Sequence, residues 1–207
     1  SDGEYIAAGG QEEKVYLFDK DSSTPLWSYD TGEDVKSVSI SADGSYIVVA
    51  SDNGKLHLFS QSSSTPLWTY TADNSLTSVS ISADGNYIVI GSEDDKVYLF
   101  DKDSSTPLWS YDTGSNVKDV AISSDGEYIV IGSANDIVYL FERSSNEPIW
   151  DDNVGDIPLA VDISADGEYI VVGTEMEVYL FDKDSSTPLW TYMADSNVGT
   201  VGISKDG

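Results

Sequence analysis

A tryptophan returns along this chain at a nearly fixed interval: Trp27, Trp68, Trp109, Trp150 and Trp190 stand 41, 41, 41 and 40 residues apart. Each follows a proline by two positions: Pro25, Pro66, Pro107, Pro148 and Pro188. An Asp-Gly pair keeps the same beat at Asp2, Asp43, Asp84, Asp125, Asp166 and Asp206, and the single missing residue falls near Glu175, between Gly173 and Val178. Lys14–Gly32 is identical to Lys96–Gly114, as amplification of one ancestral unit would leave it. A unit this short cannot bury a hydrophobic face alone, so a repeat of this period folds by stacking its copies.

Each unit reads as strands. In the second, Val35–Ser41 alternates apolar and small polar residues, Asp43-Gly44 is a tight-turn pair, and Tyr46–Ala50 is a nearly continuous apolar run. Such a run suits a strand covered on both faces, and glycine supplies the positive φ that tight hairpins need. Asp52, Asn53 and Gly54 turn the chain again, Lys55–Phe59 alternates, and Pro66 precedes a last strand over Leu67–Tyr70. Proline is tolerated at a strand's start, where its missing donor costs nothing. No segment sustains a 3.6-residue period, so helix is not expected.

Four-stranded units of this kind bury both faces when arranged around an axis, as in a β-propeller. The expected fold is therefore all-β: a single domain over residues 1–207, a five-bladed β-propeller of four-stranded antiparallel blades. The amino end supplies Tyr5–Gly9, Lys14–Phe18 and Leu26–Tyr29, three strands of a blade, and the carboxyl end supplies Val198–Ser204. Pairing of this C-terminal strand with the N-terminal blade would close a monomeric ring and remove exposed strand edges. The tryptophans are expected to pack blade against blade.

Thirty-seven acidic residues against ten Lys and Arg give a formal charge of -27. The regular apolar pattern excludes the disorder that such a charge otherwise suggests. Nucleic acid is excluded as a partner, because phosphate binding needs clustered basic residues. No apolar run approaches the ~18 residues of a membrane-spanning helix, so direct membrane insertion is not expected. Without cysteine there is no disulfide, thiolate metal site or cysteine nucleophile. A start at Ser1 rather than Met leads us to expect a processed product or a domain of a longer protein. Excess carboxylate also keeps a protein soluble at high salt.

The string SADGNYIVIGSEDDKVYLFD (Ser82–Asp101) resembles WD-repeat propellers, with its Asp-Gly turn and the aromatic-acid pair Phe100-Asp101. Phe18-Asp19, Phe141-Glu142 and Phe181-Asp182 repeat that pair, and Phe59-Ser60 breaks it. The family's Gly-His dipeptide is absent and His57 is the only histidine, so the buried tetrad of standard WD repeats cannot form. VYLFDKDSSTPLWSYDTG (Val97–Gly114) resembles the tryptophan repeat of quinoprotein-type propellers, and the mixture is similar to repeats of archaeal surface proteins. Resemblance to quinoprotein dehydrogenases implies larger rings with long insertions that build a cofactor pocket. The connections here are short, and no cofactor is expected.

Hydrolytic chemistry fails for want of a base. His57 aligns with Tyr16, Tyr98, Tyr139 and Tyr179 and is expected to fill a tyrosine position on the third strand. Asp19 and Asp21, Asp101 and Asp103, and Asp182 and Asp184 alternate with other residues as in the start of a calcium loop. The sixth position is Thr24 rather than Gly and no bidentate Glu follows, so a solvated turn is the preferred reading and weak calcium binding the alternative.

The turns that vary between units lie between the second and third strands and between blades, two sets that a propeller places on one face. Their polar members are Glu12, Glu13, Asp52, Asn53, Glu93, Asp94, Asn135, Asp136, Asp151, Asp152, Asp156 and Glu175. This acidic face is the expected contact surface for a protein or glycan partner. The chain is thus read as no enzyme, but a non-catalytic interaction or structural module of a secreted or cell-surface protein, with a glycan-binding lectin as the alternative.

Overall fold

The computed structural model describes residues 3–204, so the expected turns at Asp2 and Asp206 lie outside the described residues. Five antiparallel sheets follow one another along the chain. The first holds β1 (Tyr5–Gly9), β2 (Lys14–Asp19) and β3 (Trp27–Asp30); the second holds β4 (Val35–Ile40), β5 (Tyr46–Ser51), β6 (Lys55–Ser60) and β7 (Trp68–Thr71). The third comprises β8 (Leu76–Ile81), β9 (Tyr87–Ser92), β10 (Lys96–Asp101) and β11 (Trp109–Asp112). The fourth comprises β12 (Val117–Ile122), β13 (Tyr128–Ser133), β14 (Ile137–Glu142) and β15 (Pro148–Asn153). The fifth comprises β16 (Ala160–Ile163), β17 (Tyr169–Gly173), β18 (Glu177–Asp182) and β19 (Trp190–Met193). In every sheet sequence neighbours are hydrogen-bonded neighbours, which is the meander of a propeller blade. The fold is the expected all-β, five-bladed propeller, with no helix among the described residues.

The near-continuous apolar runs are the covered strands: in β5 every residue after Tyr46 is buried. Side chains from the two faces of each blade enter different cores. Ile47, Val49 and Phe59 join Val15 and Leu17 of the first blade, whereas Val48, Ala50, Leu56 and Leu58 join Ile88, Ile90 and Phe100 of the third. The same partition recurs between the third and fourth blades and between the fourth and fifth. The sequence suggested outer strands starting one residue before the tryptophan; β15 begins two residues before it, at Pro148, and β3, β7, β11 and β19 begin at the tryptophan itself. The leucine before it still donates its amide to the neighbouring strand, as in Leu67 N to Leu58 O at 2.7 Å.

Four Asp-Gly turns among the described residues are each tied by a buried serine. Ser82 Oγ donates to Asp84 Oδ1 at 2.6 Å and accepts the Tyr87 amide at 3.0 Å, and Ser41, Ser123 and Ser164 repeat this pair of bonds. The glycine is required twice over. Gly85 has φ +75°, and a Cβ there would lie 2.7 Å from the Tyr46 ring of the preceding blade. The turns are linked in a belt by backbone bonds of 2.9–3.0 Å from Ala42 to Ala83, Ala83 to Ser124 and Ser124 to Ala165.

The blade seams turn on tryptophan. Trp27, Trp68, Trp109 and Trp150 donate their indole N–H to the carbonyls of Gln61, Lys102, Arg143 and Lys183 in the next blade, at 2.6–2.8 Å. Their rings lie 5.2–5.7 Å from Phe59, Phe100, Phe141 and Phe181. This is the packing role expected for these residues.

The expected closure is not confirmed by this structure. Among the described residues β1 pairs with β2 alone, and Val198–Ser204 carries no strand. That segment instead sits beside the fifth blade, with Val198 N bonded to Thr174 O at 2.9 Å and Ile203 N to Asp162 Oδ2 at 3.0 Å. Trp190 is 47% exposed and Ile6 52%, whereas Ile47, Ile88, Ile129 and Ile170, the counterparts of Ile6, are fully buried. Four tryptophan-docked seams are made among the described residues.

Candidate interaction face

In β10, β14 and β18 the single tyrosine aims its hydroxyl at the turn that precedes the strand or at the residues opening it, and this links core to surface. Tyr98 donates to Asp94 Oδ2 at 2.7 Å, and burial followed by the Asp94 carboxylate pushes the phenol up. In the fourth blade Asn135 Nδ2 meets the Tyr139 hydroxyl at 2.9 Å and donates to the Thr113 carbonyl of the preceding blade at 2.7 Å. Asn53 makes the matching bond to Thr31 O at 2.9 Å. In the fifth blade the shortened turn leaves Glu177 as the partner of the Tyr179 hydroxyl, which also donates to Val154 O at 2.7 Å. In the first, burial and then the nearby Glu12 carboxylate push the Tyr16 phenol up.

These turns therefore divide. Asp52 accepts from Ser75 Oγ at 2.5 Å and pairs with Lys36 at 3.1 Å; that hydroxyl and then the ammonium hold its carboxyl below the usual range. Asp52, Asn53, Asp94 and Asn135 are ties between blades. Glu13, Glu93 and Asp151 are exposed, while Asp136, Asp152, Asp156 and Glu175 are half-buried. Burial, followed by the charge of Asp151, pushes the Asp152 carboxyl up. Ten of the twelve lie in turns or blade connections, whereas Asp151 and Asp152, expected in the connection, lie on β15 paired with Tyr139 and Val138.

One backbone position in these turns is unusual. Gly54 has φ 76°, and its counterparts Glu13, Asp95 and Asp136 adopt φ 63°, 70° and 67° despite carrying side chains. Left-handed backbone costs an L-residue roughly 1–2 kcal/mol. At Gly54 a Cβ would meet Asn74 O at 2.6 Å, so there glycine is obligatory. In the first, third and fourth blades an acidic side chain is held at the rim in strained backbone.

The calcium candidates are occupied by their own turns. Asp19, Asp101 and Asp182 accept the amides of Asp21, Asp103 and Asp184, each at 2.9 Å. The second aspartates pair with Lys20, Lys102 and Lys183 at 2.7–3.1 Å. No group of three or more acidic or histidine side chains suited to a metal occurs among the described residues.

His57 fills the tyrosine position. It is 3% exposed, meets Thr69 Oγ1 through Nδ1 at 3.0 Å and lies edge-on to Tyr29 at 5.3 Å. Burial, with a smaller push from the Lys55 charge, lowers its pKa to about 4, so it is neutral and enclosed. A base needs access to the proton it removes, and this imidazole has none.

Asp119 was not singled out by the sequence. It accepts Ser78 Oγ at 2.7 Å from the blade before and Val161 N at 2.9 Å from the blade after, and burial pushes its carboxyl up. The signal was a charge at a position where Ser37 and Ser78 stand in other inner strands.

The geometry is that of a tryptophan-docked repeat propeller, whose repeated chemistry serves blade contact and whose variety sits in turns at one end. The family model described as outer membrane protein assembly factor BamB matches residues 11–144, and the chain belongs to this family. The quinoprotein-like side of its resemblance is the one this match supports. No curated protein matches the chain.

Proposed function

We propose that this propeller is a non-catalytic contact module that receives a protein through the turns at one end of its blades. The observation that carries the reading is the division between the two ends. One end repeats the same serine-tied Asp-Gly turn blade after blade. The other changes its residues from blade to blade and carries Glu13, Glu93 and Asp151 exposed. The family's description names an assembly factor, which fits a role exercised by contact. With a formal charge of -27, the partner surface is basic, and encounter is steered by charge. We place the module in a secreted or cell-surface setting.

The test is replacement of Glu13, Glu93 and Asp151 by lysine, followed by binding to a panel of basic protein domains at several salt concentrations. Loss of binding relative to the parent chain supports the reading. Binding that is unchanged by the substitutions and insensitive to salt overturns it.

A specific observation favours a glycan as the second reading. In the second blade Ser60-Gln61-Ser62 replaces the Asp-Lys-Asp of the first, third and fifth blades, and a cavity of about 260 Å³ opens among Ser45, Tyr46, Ser60, Gln61 and Ser62. Hydroxyls beside an aromatic ring suit a sugar. A glycan array separates the readings, since a hit lost in Tyr46→Ala favours the lectin.

A further inference from the structure

One corner recurs in every blade, where the residues after the third strand lie beside the start of the second. A main-chain bond of 2.8–3.0 Å ties the two sides in all five blades, Gln61 N to Ser45 O in the second among them. Across that bond three blades form an ion pair: Lys20 with Glu4 at 3.4 Å, Arg143 with Glu127 at 2.8 Å and Lys183 with Glu168 at 3.2 Å. In the third blade Lys102 pairs with Asp103 at 2.7 Å.

The second blade departs from all of these. Its two partners are Ser45 and Gln61, and the residues flanking Gln61 are Ser60 and Ser62. At these four positions each other blade carries three or four charged residues and the second carries none. Loss of one partner would strand a charge; here acid and base are both replaced, and by hydrogen-bonding residues rather than apolar ones. The backbone bond is unchanged, so the cavity of about 260 Å³ is space that longer charged side chains take up in the neighbouring blades.

The lining groups are uncharged and face both ways in hydrogen bonding. Ser45 Oγ donates to Asp43 at 2.6 Å, which leaves its oxygen to accept. The Ser60 and Ser62 hydroxyls are 3.2 Å apart, and one hydrogen of that pair remains to donate. Gln61 gives its main-chain carbonyl to the Trp27 indole at 2.8 Å, and its side-chain amide has no partner among the described residues. Tyr46 adds an apolar ring, seated against Gly85 of the third blade, where a Cβ would come within 2.7 Å. A sugar hydroxyl is itself donor and acceptor, as this lining requires. A cation finds no carboxylate among the lining residues, and an anion meets a formal charge of -27. The volume falls below the roughly 300–1,000 Å³ of sites for drug-sized ligands, so it admits a single ring.

We propose that this corner of the second blade binds one neutral sugar ring, and that the chain holds one such site because no other blade has lost its charged set. The assignment rests on the glycan reading and narrows it to a blade, a ligand class and a stoichiometry.

The full chain is titrated with glucose, galactose and mannose and followed by amide NMR shifts. One site is expected, with Kd on the order of 1 mM for so small a ligand and shifts centred on Ser45, Gln61 and Ser62. Ser45→Glu/Gln61→Lys installs the pair of the first and fifth blades, so it should keep the circular dichroism of the parent and lose the sugar. The shift map uses the parent chain alone, so it decides the site even where the variant misfolds. Glucuronic acid and open-chain sorbitol should bind at least ~10-fold more weakly than the neutral rings. Shifts that map to another blade, or binding that survives the double substitution, overturn the site and leave the glycan reading standing. Equal binding of glucuronic acid or sorbitol overturns the ligand class. No shift with any of the three sugars at ~100 mM, about 100 times the expected Kd, overturns the proposal, and an empty glycan array overturns the glycan reading with it.

Discussion

Acidification should weaken the fold through His57, and the size of the effect follows from where that ring sits. An unfolded histidine titrates near pH 6.5; in the fold His57 titrates at about 4, because protonation would place a cation among Tyr29 and Phe59. Between those values the unfolded chain binds the proton and the folded chain does not. The native state therefore loses ground as pH falls through that window. The loss levels off below pH 4, and above pH 6.5 this group contributes no pH dependence. Linkage gives about 2.5 kcal/mol lost by pH 4.5 and about 3 kcal/mol by pH 4. His57→Tyr installs the residue found at this position in the other blades and removes the titration. Urea midpoints for parent and variant, taken from pH 7.5 to 4.5, isolate the histidine because the carboxylates are common to both. The stability difference should shift in favour of the variant by that amount on acidification. A difference that stays constant with pH would refute the assignment of a neutral, enclosed imidazole.

Trp109→Ala removes a ring from a formed seam and leaves the Arg143 carbonyl without its donor, so denaturant unfolding should show a loss of about 3–5 kcal/mol. Asp119→Asn keeps an oxygen for the Val161 amide and discharges a carboxyl whose pKa burial raises. A raised pKa means the ionised form is disfavoured in the fold, so the variant should melt higher at pH 7 and lose that advantage as pH falls. Raising NaCl from ~10 mM to ~1 M should lift the parent's thermal midpoint by screening the net charge; a flat or falling midpoint counts against it. Calorimetry with millimolar calcium should show no binding heat, since the paired aspartates of the Ser-Thr-Pro turns already serve amides and lysines.

The strands, the Asp-Gly turns and the tryptophan contacts were legible in the sequence because each depends on residues close in the chain or on strict repetition. How deeply each blade is buried was not legible, and the reason lies in Lys14–Gly32 and Lys96–Gly114. These two stretches are the same string, yet Tyr98 and Phe100 are buried while Tyr16 and Phe18 are only half so. Burial here belongs to the place a blade occupies, which no single repeat encodes. The variable turns were found as a set, but the ties among them were not. Asn53 reaches Thr31 across 22 residues, and only the stacking of neighbouring blades brings them together.

The acceptor of each docking indole is a main-chain oxygen, and the residues that present it are as different as Gln61, Lys102, Arg143 and Lys183. A joint that ignores the side chain at its socket accepts any copy of the unit. Repeats in such a gene can be duplicated, deleted or exchanged with no compensating change next door. The near-identical units of this chain are what that freedom leaves behind.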